Sequence, residues 1–190
     1  MAKRQDWAII ERLGDIILKH VEGHIFEIGV GFSTPILSNL ANNFDRDLYC
    51  FERSKGRCNW AKVFGGQVFH GKSLDNIEKL SEITIAMGLI DGKHAADTVR
   101  SEISFFLERL SVGGVIFLHD TYRCASPLLR KGEHLDEERM IGDVYKVRKE
   151  LEGLNTIQTF TWPYTAMDCG LTMVMKMDPN RPYYEMSGLV

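Results

Sequence analysis

No stretch of the 190 residues carries a run of like charge, and the net charge is only −3. A nucleic-acid surface usually announces itself by a basic excess, so no nucleic-acid partner is expected. No apolar stretch approaches the ~20 residues of a membrane span, so no membrane partner is expected either. The opening "MAKRQDWAIIERLGD" offers Lys3 and Arg4, but Asp6, Glu11 and Arg12 break the apolar segment that a secretory leader requires. A cytoplasmic protein is the expectation. Cysteine is scarce: Cys50, Cys58, Cys124 and Cys169 form no Cys-x-x-Cys pair, which argues against a structural zinc site. In a reducing compartment they are expected as free thiols. There is no internal repeat and no low-complexity segment.

What remains is one ordinary globular composition, long enough for a single domain over 1–190 with its own core. Apolar runs alternate with helical patterns. Ile10, Leu13, Ile17 and Leu18 recur at helical spacing within an N-terminal helix in 1–22. Strands are expected at 24–30, 47–53, 66–71, 83–91 and 111–122. Two more, "TIQTFTW" and "GLTMVMKM", are close enough to pair as a hairpin. Helices are expected from Thr34, with a hydroxyl at the cap and Pro35 in the first turn, over 94–110, and from Gly142 to Leu151. The polar segment 123–141 reads as a loop or lid. Strand-helix alternation with near-continuous apolar strands predicts an α/β fold: a Rossmann-like, doubly wound, mostly parallel sheet with helices on both faces. Ligands of such sheets bind at the carboxyl ends of the strands, near the reversal of strand order.

That rule directs attention to "FEIGVGFST" (26–34). Gly29 and Gly31 follow a strand that carries Glu27, and a helix starts at Thr34. A dinucleotide loop would want a third glycine where Thr34 stands. A charged Glu27 would also repel a pyrophosphate. A ligand with a cationic centre reverses that sign, and S-adenosylmethionine has one, together with a carboxylate that a helix N-terminus accepts. Glu52, ending the next strand, can take both ribose hydroxyls in either case.

These residues carry a resemblance. "EIGVGFST" resembles the first motif of class I S-adenosylmethionine-dependent methyltransferases, with Ser33 in place of the third glycine. "YCFER" resembles the second, with Glu52 as its ribose-binding acid. Residues 88–121, "GLIDGKHAADTVRSEISFFLERLSVGGVIFLHDT", resemble methyltransferase family 24 in their Ile-Asp-Gly-x-His, Gly-Gly and His-Asp-Thr elements. The resemblance covers roughly 24–122. It implies a seven-stranded sheet with an antiparallel last strand, and cofactor contacts at Glu27, Gly29, Gly31, Ser33, Thr34, Glu52, Asp91 and Ser73, the last towards adenine.

For the chemistry, methyl transfer needs alignment of the acceptor and removal of its proton. Asp91 and Asp120 end strands that this topology makes neighbours, and two such carboxylates can share a divalent ion, Mg or Mn. Related O-methyltransferases hold a metal with an acid at the position of Asp91 and an acid pair where this chain reads His119-Asp120. Asp91, His119 and Asp120 are therefore the expected metal set, and Asp91, His94 and His119 the expected catalytic groups, a histidine serving as base. Turn-shaping by Asp91 and helix capping by His94 are the structural alternatives. The expected activity is O-methylation of a small-molecule hydroxyl. A macromolecular acceptor, and an adenosylmethionine-binding protein without activity, stay open. Trp60, Trp162, Tyr164, the 123–141 segment or a second copy of the chain could wall the acceptor pocket, whereas Met173, Met175 and Met177 read as packing.

Overall fold

Seven runs become seven strands: the inner ones bury their side chains between two layers of helices, whereas the two at the sheet edges stay partly exposed. The computed structural model describes residues 5–122, 142–163 and 170–180. The expected 123–141 loop, Cys124, Cys169 and Tyr164 lie outside the described residues. The strands are β1 (His24–Ile28), β2 (Leu48–Glu52), β3 (Gln67–His70), β4 (Ile85–Ile90), β5 (Leu110–His119), β6 (Ile157–Trp162) and β7 (Leu171–Lys176). They form one sheet in the order β3-β2-β1-β4-β5-β7-β6. The pairings among β1 to β5 are parallel. β7 runs antiparallel to both β5 and β6, as expected of the closing hairpin.

The helices are α1 (Gln5–Leu18), α2 (Thr34–Asn43), α3 (Lys55–Val63), α4 (Ala96–Arg109) and α5 (Val144–Leu151). Strand alternation splits the core in two. Ile25, Cys50, Met87, Leu89 and Phe117 pack with Ile10 and Ile17 of α1 and with Leu37 and Leu40 of α2. Phe26, Ile28, Phe51, Ile90 and Leu118 pack with Ile103 and Phe106 of α4 and Val147 of α5. Large side chains such as Phe26 and Phe106 are fully buried, each contributing roughly 1.5–3 kcal/mol over exposure. Their rings stack with centroids 3.6 Å apart. Gly88, opposite Phe26 on β4, makes room for them: a Cβ there would come within 1.9 Å of the Phe26 ring.

Periodicity did not reveal α3. Its buried residues are Cys58 and Ala61, too small to give an apolar stripe, and its start is set by Ser54, whose hydroxyl accepts from the Arg57 amide at 3.5 Å. The hydroxyl cap expected for α2 is corrected. Ser33 is the N-cap but makes no side-chain cap bond; its hydroxyl and that of Thr34 turn to Glu27 instead. Among the described residues no helix is long and apolar enough to cross a membrane.

Candidate active site

Strand order reverses between β1 and β4, since β2 and β3 lie on one side of β1 and β5 on the far side of β4. A cavity of about 530 Å³ opens at their carboxyl ends, with Gly29, Glu52, Ser73 and Asp91 in its wall. That volume suits a nucleoside-sized ligand.

Glu27 is not in this wall. Alternation along β1 sends it to the α1–α2 side, beside Cys50 and Leu89, where it is fully buried. Ser33 Oγ donates to Oε1 at 2.5 Å and Thr34 Oγ1 to Oε2 at 2.7 Å. Burial outweighs these bonds and pushes the Glu27 carboxyl up to about 8. Glu27 therefore holds a proton at neutral pH and ties the loop to α2 from behind. The Glu27 carboxyl is thus turned away from the cavity wall that sequence reasoning expected it to join. Thr34 Oγ1 also accepts from the Gly31 amide at 3.1 Å, so Glu27, Thr34 and Gly31 form one chain of hydrogen bonds.

The two glycines do different things. Gly29 has φ +89°, and a Cβ there would lie 2.1 Å from the Asp91 carbonyl oxygen; the chain itself demands glycine. A Cβ on Gly31 would meet nothing within 4 Å. The fold leaves that space open, which fits the close approach of a ligand to the backbone.

Glu52 is pinned at the cavity wall. Oε2 accepts from the Val30 amide at 3.0 Å and Oε1 from the Ser54 amide at 2.7 Å, leaving lone pairs for hydroxyls at the cavity wall. Ser73 lines the cavity, but its hydroxyl donates to Glu102 of α4. Burial raises the Glu102 carboxyl to about 7.

At the other end of Asp91 lies a cluster of acids and histidines. Donor atoms of Asp91, His94 and Asp120 fall within 4.8 Å of one another. His94 Nε2 is 3.1 Å from Asp120 Oδ2 and 3.6 Å from Asp91 Oδ1. Asp120 has φ +57°, a left-handed conformation that Asp tolerates better than most residues and that is often found at functional sites. His119 sits deeper. Its Nδ1 is 3.3 Å from Asp91 Oδ1 and from Asp120 Oδ1, and its Nε2 is 3.4 Å from Asp6 Oδ2. Its ring stacks on Trp7 of α1, centroids 5.3 Å apart. Burial disfavours the charged ring, yet contacts with Asp120, Asp6 and Asp91 hold its proton up to about 12. Burial likewise works against Asp91, but His119 and His94 bring it down to about 2. The set of Asp91, His119 and Asp120 read from sequence is thus gathered differently: His94 completes the open face, and His119 is a countercharge behind it.

Two carboxylate oxygens and an imidazole nitrogen, partly open to solvent, are a donor set that fits Mn²⁺ or, with waters, Mg²⁺. With this geometry in place, comparison with known proteins gives the family. The methyltransferase domain model of family 24 matches residues 26–121, half of the chain, and spans Glu27 to Asp120. The chain belongs to methyltransferase family 24. It is an S-adenosylmethionine-dependent methyltransferase. No curated protein matches the sequence. Solved structures share the fold at low identity. The O-methyltransferase TomG from Streptomyces achromogenes, involved in tomaymycin synthesis and in complex with SAM, is 16% identical at a TM-score of 0.67, covering 90% of this chain and 79% of that one. MycE methyltransferase from the mycinamycin pathway, in complex with Mg, SAH and mycinamycin VI, is 14% identical at 0.63, covering 94% and 51%. An rRNA methylase from Streptococcus thermophilus is 15% identical at 0.61, covering 94% and 100%.

The site also draws in residues that sequence reasoning passed over, as contacts of its lining groups. Asp6 and Trp7 reach His119 from α1. Asp6 lies four residues before Ile10 on the buried face of that helix, so a carboxylate in an apolar stripe was the available signal. Glu102 sits the same way beside Val99, Ile103 and Phe106. Asp143, ahead of α5, had no local signal. Trp60 packs on Phe64, ring centroids 5.1 Å apart, and Trp162 packs on Phe160 and the α1–α2 side of the core. Neither lines the cavity.

Proposed function

We propose that this methyltransferase methylates a hydroxyl of a small-molecule acceptor and that Asp91, His94 and Asp120 hold a divalent cation, Mg²⁺ or Mn²⁺, at the acceptor. The observation that supports it most is the convergence of those three donors next to a cofactor cavity that shares Asp91 as a wall. The loop of Gly29 and Gly31 would take the methionine end of the cofactor and Glu52 its ribose hydroxyls. S-adenosylmethionine supplies an electrophilic methyl, so the chain's task is alignment and proton removal. A cation held by the two carboxylates and His94 would stabilise an acceptor oxyanion. The ion pairs of Asp91 and Asp120 with His119 keep both carboxylates turned towards that position.

One observation favours a second reading. His119 already places a cation against Asp91 and Asp120, and the cluster could then work without metal. With its Nε2–H against Asp120 at 3.1 Å, His94 would take the acceptor's proton on its other ring nitrogen as a general base. Turnover against a panel of phenols, sugars and RNA separates these readings. Metal-assisted transfer to a small hydroxyl predicts product with a phenol or sugar, its loss on chelation, and its loss in Asp91→Ala. Intact turnover after both chelation and Asp91→Ala removes the metal; turnover on RNA alone removes the small acceptor.

A further inference from the structure

His94 is held by a part of the chain outside the family-matched segment. Asp143 Oδ1 accepts from the Ala96 amide at 2.6 Å, across 47 residues of sequence. The Asp143 amide donates to the His94 carbonyl oxygen at 3.1 Å. Gly142, at φ +61°, lies so close that a Cβ on it would stand 1.6 Å from the same carbonyl. Ala95, at the N-cap of α4, has no side chain to cap the helix, so a carboxylate from the start of α5 does so instead. Lys146 Nζ lies 3.1 Å from the other Asp143 oxygen and holds it in place.

Asp91 is fixed independently, because its amide donates to the Ile28 carbonyl at 2.8 Å and the Gly29 turn abuts its own carbonyl. The loop from Asp91 to Ala96 is therefore anchored at one end by β1 and at the other by Asp143. His94 sits at the second anchor. From this double clamp we infer that Asp143 is a positioning residue for His94, and that the Gly142–Asp143 turn sets where the imidazole stands against Asp91 and Asp120. The inference rests on the functional reading of His94 given above. It makes the geometry of the cluster depend on the Gly142–Asp143 turn ahead of α5.

The test compares Asp143→Ala, Asp143→Asn and Gly142→Ala with the unaltered protein. Asparagine keeps an oxygen to accept from Ala96 and should behave as the unaltered chain. Alanine removes it, and Gly142→Ala pushes on the His94 carbonyl while leaving Asp143 in place. The first readout is the His94 imidazole NMR cross-peak, assigned by its disappearance in His94→Ala. It should move in Asp143→Ala and Gly142→Ala and return in Asp143→Asn, with His20, His24 and His70 unmoved. The second is Mn²⁺ affinity of the cofactor-free protein by calorimetry, expected to fall about tenfold in the two moved variants, as for loss of an outer-shell support. An unmoved His94 cross-peak in both folded variants overturns the inference. If the unaltered protein takes no Mn²⁺, the metal reading falls, and the His94 cross-peak still decides the positioning role. If Asp143→Ala does not fold, Gly142→Ala carries the decision.

Discussion

Replacing Glu27 by glutamine tests the electrostatics of the loop. The Glu27 carboxyl is fully buried, and burial lifts it from an ordinary 4.5 to about 8. The folded chain therefore keeps a proton that the unfolded chain has released. This disfavours the folded state increasingly as pH rises through the window from 4.5 to about 8. Below that window both states are protonated and there is no cost; above it the cost is complete. Each pH unit within the window is worth about 1.4 kcal/mol, and the whole window on the order of 5 kcal/mol. A glutamine there would have the same shape and no proton to lose, and its amide oxygen can still accept from Ser33. Urea unfolding followed by tryptophan fluorescence at pH 5, 6, 7 and 8 measures the difference. Relative to the unaltered chain, Glu27→Gln should gain stability by roughly 1 kcal/mol per pH unit across that range. Parallel stability curves for the two proteins would refute a protonated Glu27, and with it the account of the loop as tied by a neutral acid.

The two loop glycines should part company. Gly29→Ala, with its φ of +89° and an approach of 2.1 Å to the Asp91 carbonyl, should cost about 3 kcal/mol or more in unfolding experiments. Gly31→Ala should leave stability within about 0.5 kcal/mol yet weaken adenosylhomocysteine binding about tenfold or more by calorimetry, a loss of ~1.4 kcal/mol; unchanged affinity would put the ligand elsewhere. Asp6→Asn breaks a buried pair with His119 and should cost about 3 kcal/mol in thermal or urea unfolding. His119→Gln should cost less in the Asp6→Asn background than in the unaltered protein, since the Asp6 contact is already gone while those with Asp91, Asp120 and Trp7 are still there to lose; full additivity would show that the pair does not form.

Much of the frame was legible because it rests on local pattern. The strands announced themselves as apolar runs, and their β2 and β4 members are buried along their whole length. Placing Asp91 and Asp120 side by side needed only the sheet order, and β4 and β5 do pair, Ile90 opposite Leu118. Glu52 followed from its place at the end of β2. α3 stayed hidden because Cys58 and Ala61 bury too little apolar surface to make a period visible.

The parts that sequence could not supply are those set by distance and burial. Whether Glu27 is charged depends on the walls around it, and β1 alternation put it among Cys50, Ser33 and Thr34 rather than towards the cavity. Which histidine faces outwards was decided by Asp6, 113 residues from His119, and by Asp143, which caps a helix it does not belong to. Hydrophobic period, glycine placement and strand-end acids are short-range properties, so the letters alone were enough to reach the family and the sheet that carries those acids. Protonation and side-chain direction arise from groups that only the folded chain brings into contact, and there the tertiary structure alone decided how Asp91, His94, His119 and Asp120 face one another.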